Sequence, residues 1–204
     1  MKVAIEGAPG VGKSTLCSAL AAHIPDSAWV EEPVTENPYL ADYYLEPGRW
    51  ALAMQVDILL RRANAIAAVA HRRRAVEFLD RSAWGDRLFA VTARDLGIMS
   101  SREFDTYDAV FRAVTASPGV LPDAVVYLRA SADAVWARVA ARARPEEAAM
   151  RREYLDAVCD TYEAFFARPP IGMRVITVDW EAFGTVDAAW SQVETAFTRG
   201  FGSP

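Results

Sequence analysis

The chain alternates short apolar runs with longer segments in which apolar residues return every three or four positions. Runs of the first kind, dense in Val, Ile and Leu, lie at 2–6, 28–31, 76–79, 124–128 and 174–178. They have strand length, and each gives way to a helical stretch, which is the pattern of a parallel sheet with helical crossovers. The first helix starts at Lys13 and carries Leu16, Leu20 and Ile24 at spacings of four. A long helix is predicted over 48–70 and a third over 83–96. Ser100 and Glu103 form a capping box that opens a fourth, and Pro118-Gly119 ends it. Ser131 caps the next, Arg144-Pro145 breaks the pattern, a further helix runs to Pro169-Pro170, and a last amphipathic one covers 186–198. Only 32–48, with Pro33, Pro38 and Pro47, reads as loop-rich. Neither a repeat nor a low-complexity linker divides the 204 residues, so the reading is one α/β domain, 1–204, built on five parallel strands.

Composition narrows the function classes. With 27 acidic against 22 basic side chains the net charge is −5, which disfavours tracking along a polymeric nucleic acid, where Lys and Arg must neutralise phosphates. A nucleotide ligand is then expected to be a small molecule. Charges interrupt every long apolar stretch, and the N-terminus runs straight into a strand, so a cytoplasmic protein without a membrane segment is expected. Cys17 and Cys159 fall on separate helices, suggesting neither a metal knuckle nor a disulfide framework.

The most specific chemical signal follows the first strand. Gly7-Ala8-Pro9-Gly10-Val11-Gly12-Lys13-Ser14-Thr15 satisfies the phosphate-loop pattern G-x-x-x-x-G-K-[ST] at the strand-to-helix junction it requires. Its glycines let backbone N–H groups surround phosphate oxygens, Lys13 reaches the β- and γ-phosphates of ATP, and Ser14 can ligate Mg²⁺. The guanine-reading run Asn-Lys-x-Asp does not occur, nor does an Asp-x-x-Gly after an apolar strand. Charged groups do close the neighbouring strands, where ligands of open α/β sheets bind. Glu31-Glu32-Pro33-Val34 follows the second strand and Asp80-Arg81-Ser82 the third. By themselves the first reads more readily as a solvated edge, and the second equally well as a surface ion pair. Likewise Arg138, Arg142 and Arg144 suit either a lid over triphosphate or a charged helix paired with Glu146 and Glu147.

Taken together and in order, Gly7–Thr15, Glu32-Pro33-Val34, Asp80-Arg81-Ser82 and Arg138-x-x-x-Arg142-x-Arg144-x-Glu146-Glu147 leading to Tyr154-Leu155 resemble the motifs of the deoxyribonucleoside kinases over roughly residues 1–180. That resemblance implies ATP- and Mg²⁺-dependent transfer of the γ-phosphate to the 5′-hydroxyl of a deoxynucleoside. It assigns Glu32 as the base, Arg81 as the cation at the transferring group, Asp80 as a water-mediated metal partner, and Tyr44 and Glu147 as the grip on the 3′-hydroxyl. Gln55 would pair with the base edge, and Arg62 with Asp86 would stand behind it, favouring a purine or cytosine over thymine. Arg142 and Arg144 would face phosphate and Arg138 the adenine, with the lid near 138–150. The aromatic stacking position falls at Ala90, one residue after Phe89, and the bacterial deoxyadenosine and deoxyguanosine kinases are the nearer match. A homodimer is implied as well. Two other readings compete: a nucleoside monophosphate kinase of the thymidylate kinase type, and a nucleotide-binding module without catalysis.

Overall fold

The computed structural model of the protein describes residues 1–69, 72 and 74–200. Strands β1 (Lys2–Glu6), β2 (Ser27–Val30), β3 (Val76–Asp80), β4 (Ala124–Arg129) and β5 (Val175–Asp179) form one parallel sheet in the order β2-β3-β1-β4-β5. Each lies within one residue of its predicted place. The helices are α1 (Lys13–His23), α2 (Leu40–Leu45), α3 (Pro47–Val69), α4 (Ala83–Asp95), α5 (Ser101–Thr115), α6 (Ala132–Arg142), α7 (Arg152–Ala167) and α8 (Val186–Gly200). Ser100 and Glu103 make the reciprocal capping box, and Ser131 caps α6 through the amide of Ala134.

One expectation is corrected. The stretch 32–48 is mostly helical: a 3-10 turn at Pro33–Glu36, then α2, then the start of α3 at Pro47. Pro33 and Pro47 each stand at the first helical position, where a fixed φ is favourable and no N–H is needed. These prolines start helices. In the basic run closing α3, His71 and Arg73 lie outside the described residues, as does Ala70 of the predicted helix end. Arg74 pairs with Asp26 at 3.2 Å.

β1 sits at the centre of the sheet with Val3, Ala4 and Ile5 fully buried, as strands covered on both faces are. The chain leaves β1 toward β2 and later crosses to β4 on the other side, so the connections diverge beside the carboxyl end of β1. That divergence opens a crevice there. α3 turns one stripe inward, Ala51, Met54, Gln55, Ile58, Leu59, Arg62, Ile66 and Val69. Two polar side chains in a buried stripe need partners, because an unpaired amide or charge is expensive out of water. They mark where packing gives way to a site. Among the described residues no helix is long and apolar enough to cross a membrane.

Candidate active site

The phosphate loop takes its shape from three glycines. Gly7, Gly10 and Gly12 have φ of 148°, 80° and 103°, a region that side-chain-bearing residues avoid. Space forbids substitution too: a Cβ on Gly7 would lie 2.9 Å from the Leu128 carbonyl oxygen, and one on Gly10 2.6 Å from Val139. Gly12 caps α1, so the first-turn amides of Lys13, Ser14 and Thr15 lack helical partners and are available to an anion at the positive helix end. Val11 is core, leaving its backbone as its contribution to the loop. Lys13 is buried and donates to the Ala8 carbonyl at 3.0 Å. Burial, with Arg81 nearby, lowers its ammonium from 10.5 to about 8.

Two arginines converge on one carboxylate. Glu32 lies just past β2, and its Oε1 accepts from Arg81 Nε at 2.6 Å and Arg62 Nη2 at 3.1 Å. Burial alone would raise the Glu32 carboxyl, but Arg81, Arg62 and Lys13 hold it well below the usual carboxylate range. Arg81 follows β3 with φ of 71°, a strained value for a non-glycine residue. Its Nη1 donates to Gly7 O at 3.2 Å and also to the Tyr162 hydroxyl. Arg62 reaches from α3 to grip Asp86 bidentately at 2.7 and 2.9 Å, and its Nη1 meets the Asp80 carbonyl at 2.8 Å. Its donors are therefore committed to protein groups, and it acts on the site through Glu32 and Asp86. Burial raises the Asp86 carboxyl, and the Arg62 ion pair opposes that shift.

Lys13, Glu32, Arg81 and Asp86 line a cavity of roughly 340 Å³ with Gln55, Tyr44, Glu147, Arg138, Arg142 and Arg144, while Arg62 lies behind its wall. Gln55 is buried and its Nε2 has no partner among the described residues. Tyr44 sits close enough to Glu147 for that carboxylate, after burial itself, to raise its phenol. Arg142 Nη2 donates to Glu147 at 2.8 Å, and Arg144 lies 4.0 Å from the same carboxylate. Arg138 donates to the Trp180 and Glu181 carbonyls at 3.0 and 2.7 Å and covers the Phe183 ring at 4.2 Å. Ala90 is fully buried, while Phe89 lines the cavity with the Arg81 guanidinium 4.7 Å above its ring. One residue along a helix is a turn of 100°, and α4 packs its Ala90 side into the core.

The metal expectation has a test in the donors present. Asp80 is 1 % exposed, and neither of its carboxylate oxygens has a hydrogen-bond partner among the described residues. Burial and the Glu32 charge raise its carboxyl, and Lys13 and the nearby Ser14 hydroxyl oppose that shift. A buried carboxylate without partners beside a phosphate loop and a hydroxyl is the oxygen-rich, anionic setting that a hard divalent cation takes. The residues fit a divalent cation such as Mg²⁺, with Ser14 and Asp80 the ones that would hold it.

Several residues of the site escaped the sequence reading. Glu6 and Tyr162 bond to each other at 3.1 Å beneath Arg81, and Phe183 would lie 2.9 Å from a Cβ on Gly12. The one signal was Glu6 itself, a charge that follows the apolar Val3-Ala4-Ile5 run of a buried strand. Tyr162 and Phe183 are ordinary aromatics in sequence.

Comparison with known proteins agrees with this geometry. The sequence profile of the deoxynucleoside kinases matches residues 3–196. The deoxyadenosine/deoxycytidine kinase of Bacillus subtilis is 30% identical over 183 residues, covering 87% of this chain and 83% of that one. A deoxyguanosine kinase of Dictyostelium discoideum is 29% identical over 94% of this chain and 68% of its own length. Among solved structures, the deoxyadenosine kinase from M. mycoides with bound dCTP superposes with a TM-score of 0.83 at 26% identity, over 98% of this chain and all of that one. A nucleotide cradle facing a buried carboxylate, in a chain matched almost end to end by one family, belongs to the deoxynucleoside kinases, the phosphotransferases that act on deoxynucleosides.

Proposed function

We propose that this kinase transfers the γ-phosphate of MgATP to the 5′-hydroxyl of deoxyadenosine or deoxycytidine in preference to thymidine. The observation that carries the base preference is the pair of polar groups at the buried end of the cavity. Gln55 offers an amide donor and an acceptor, while Asp86, locked as an ion pair by Arg62, offers acceptors alone. Adenine and cytosine both present an amino group beside a ring nitrogen, which suits this set. The keto oxygen of thymine would face a carboxylate. The M. mycoides deoxyadenosine kinase holding dCTP and the B. subtilis deoxyadenosine/deoxycytidine kinase handle both amino bases, which supports the reading.

In the reaction, Glu32 orients the 5′-hydroxyl and accepts its proton as the oxygen bonds to the γ-phosphorus and the bond to ADP breaks. A carboxylate held so acidic by two guanidiniums is a weak base toward a neutral alcohol. Proton transfer therefore comes late, once bonding to phosphorus has made the hydroxyl acidic, in keeping with a loose transition state. Lys13 and Arg81 stabilise charge on the phosphoryl oxygens, with Arg142 and Arg144 closing from the lid near 138–150. Ser14 and Asp80 would hold Mg²⁺, which would supply charge neutralisation at the phosphates. Tyr44 and Glu147 hold the sugar 3′-hydroxyl, and Arg138 lies along the donor base. We assign 1–204 as one domain that pairs as a homodimer.

The test is ATP-dependent phosphorylation of deoxyadenosine, deoxycytidine, deoxyguanosine, thymidine and their monophosphates. Deoxyadenosine and deoxycytidine should exceed thymidine in kcat/KM by about tenfold or more, a span that one mismatched buried polar contact supplies. Equal or better use of thymidine overturns the base assignment, and turnover confined to monophosphates overturns the acceptor.

A further inference from the structure

Beneath Arg81 lies a polar cluster of which no member lines the cavity. Glu6, fully buried, accepts through Oε1 from the Ser82 amide and hydroxyl, both at 2.7 Å, and through Oε2 from the Tyr162 hydroxyl at 3.1 Å. The Tyr162 oxygen in turn accepts from Arg81 Nη1, and Glu6 lies 3.8 Å from the guanidinium. Gly85 seals the arrangement: a Cβ there would stand 2.5 Å from Arg81 Cγ and 2.6 Å from Glu6 Oε2. Burial raises the Tyr162 phenol well above its usual range, so it stays protonated and can donate to Glu6 while accepting from Arg81.

Arg81 has four rotatable side-chain bonds and a strained backbone, so its placement needs external support. Nε is held by Glu32 and Nη1 by Gly7 and Tyr162, and among the described residues Nη2 has no hydrogen bond, which leaves it as the donor for a ligand. Glu32 loses its charge when it takes the substrate proton, weakening its hold at the moment the phosphoryl group moves. The bond to Tyr162 does not change charge in the reaction.

We propose that Glu6 and Tyr162 are positioning residues for phosphoryl transfer, a rigid brace that keeps Arg81 aimed at the transferring group while Glu32 is protonated. This rests on the reading of Arg81 as the cation at that group. The test is a double-mutant cycle of wild type, Arg81→Ala, Tyr162→Phe and the double variant, with kcat, both KM values and thermal midpoints measured for each. Losing a hydrogen bond to a charged group should lower kcat in Tyr162→Phe by about tenfold or more, with KM values within about twofold, while the thermal midpoint falls because the buried Glu6 Oε2 loses a partner. The double variant should be no slower than Arg81→Ala, because Tyr162 acts through Arg81. Glu6→Gln, which keeps an oxygen for Ser82, should show the same non-additivity and replaces Tyr162→Phe if that variant does not fold. A Tyr162→Phe kcat within twofold of wild type, or losses that multiply in the double variant, overturns the brace. A near-normal rate in Arg81→Ala instead overturns the role of Arg81 itself, so the two failures are distinguishable.

Discussion

Replacing Glu32 by Gln keeps the side chain's length and an oxygen for hydrogen bonding while removing its charge. That oxygen now accepts from Arg81 Nε at 2.6 Å and Arg62 Nη2 at 3.1 Å, both charge-assisted. The two donors stay charged, so an amide oxygen keeps hydrogen bonds of the charge-assisted kind, about 1.5–3 kcal/mol each, and what the variant removes is the ion-pair attraction and the proton acceptor. The loss of a positioned base adds about a hundred- to ten-thousandfold in rate. Because the carboxyl is already held well below the usual range, its intrinsic basicity is modest, and the lower half of that span applies. The expectation is a kcat lowered about a hundred- to thousandfold, or about 3–4 kcal/mol of barrier, read by coupled ADP formation at saturating substrates. ADP affinity by titration calorimetry should stay within about threefold, since Glu32 belongs to the acceptor side. Stability carries a second signature. A carboxyl whose folded pKa is depressed contributes stability above its ordinary 4.5, and that contribution fades as pH falls below it. Wild type should therefore exceed Glu32→Gln in denaturant midpoint at pH 7, with the gap narrowing below pH 4.5. A folded Glu32→Gln enzyme with kcat within tenfold of wild type refutes the mechanism.

Arg62→Met leaves the Asp86 carboxyl, 2 % exposed, without its bidentate partner, and should lower unfolding free energy by about 3–5 kcal/mol in denaturant titration; a loss under about 1 kcal/mol contradicts the assignment of that pair. Lys13, at about 8 instead of 10.5, is deprotonated in the folded protein between those values while the unfolded chain keeps its proton, so its contribution to stability rises with pH across that window. Phosphate oxygens beside the amine raise its pKa again. ADP binding at pH 8.5–9 should then take up part of a proton, seen as a buffer-dependent heat that Lys13→Met abolishes, and a heat independent of buffer counts against it. Asp80→Asn should raise the Mg²⁺ concentration for half-maximal rate by about ten- to a hundredfold, and an unchanged requirement removes Asp80 from the metal site.

What the sequence by itself determined is what short-range chemistry determines. The five strands follow from apolar runs, the helix starts from Ser100 with Glu103 and from Ser131, and the phosphate loop from glycines whose backbone angles and spacing few other residues tolerate. Glu32 and Arg81 were legible as candidates because charged groups stood just past strand ends, and Gln55, Arg62 and Asp86 because their positions resembled a family. Tertiary structure decided the rest. Only folding sets Tyr162 against Glu6, 156 residues away, and turns Phe89 instead of Ala90 into the cavity. It also decides that Arg62 spends its donors on protein groups while Asp80 keeps two oxygens without a hydrogen-bond partner among the described residues. Spacing along a chain specifies which residues share a helix face or a turn, whereas which donor meets which acceptor depends on how separate elements pack, and that is a property of the whole core.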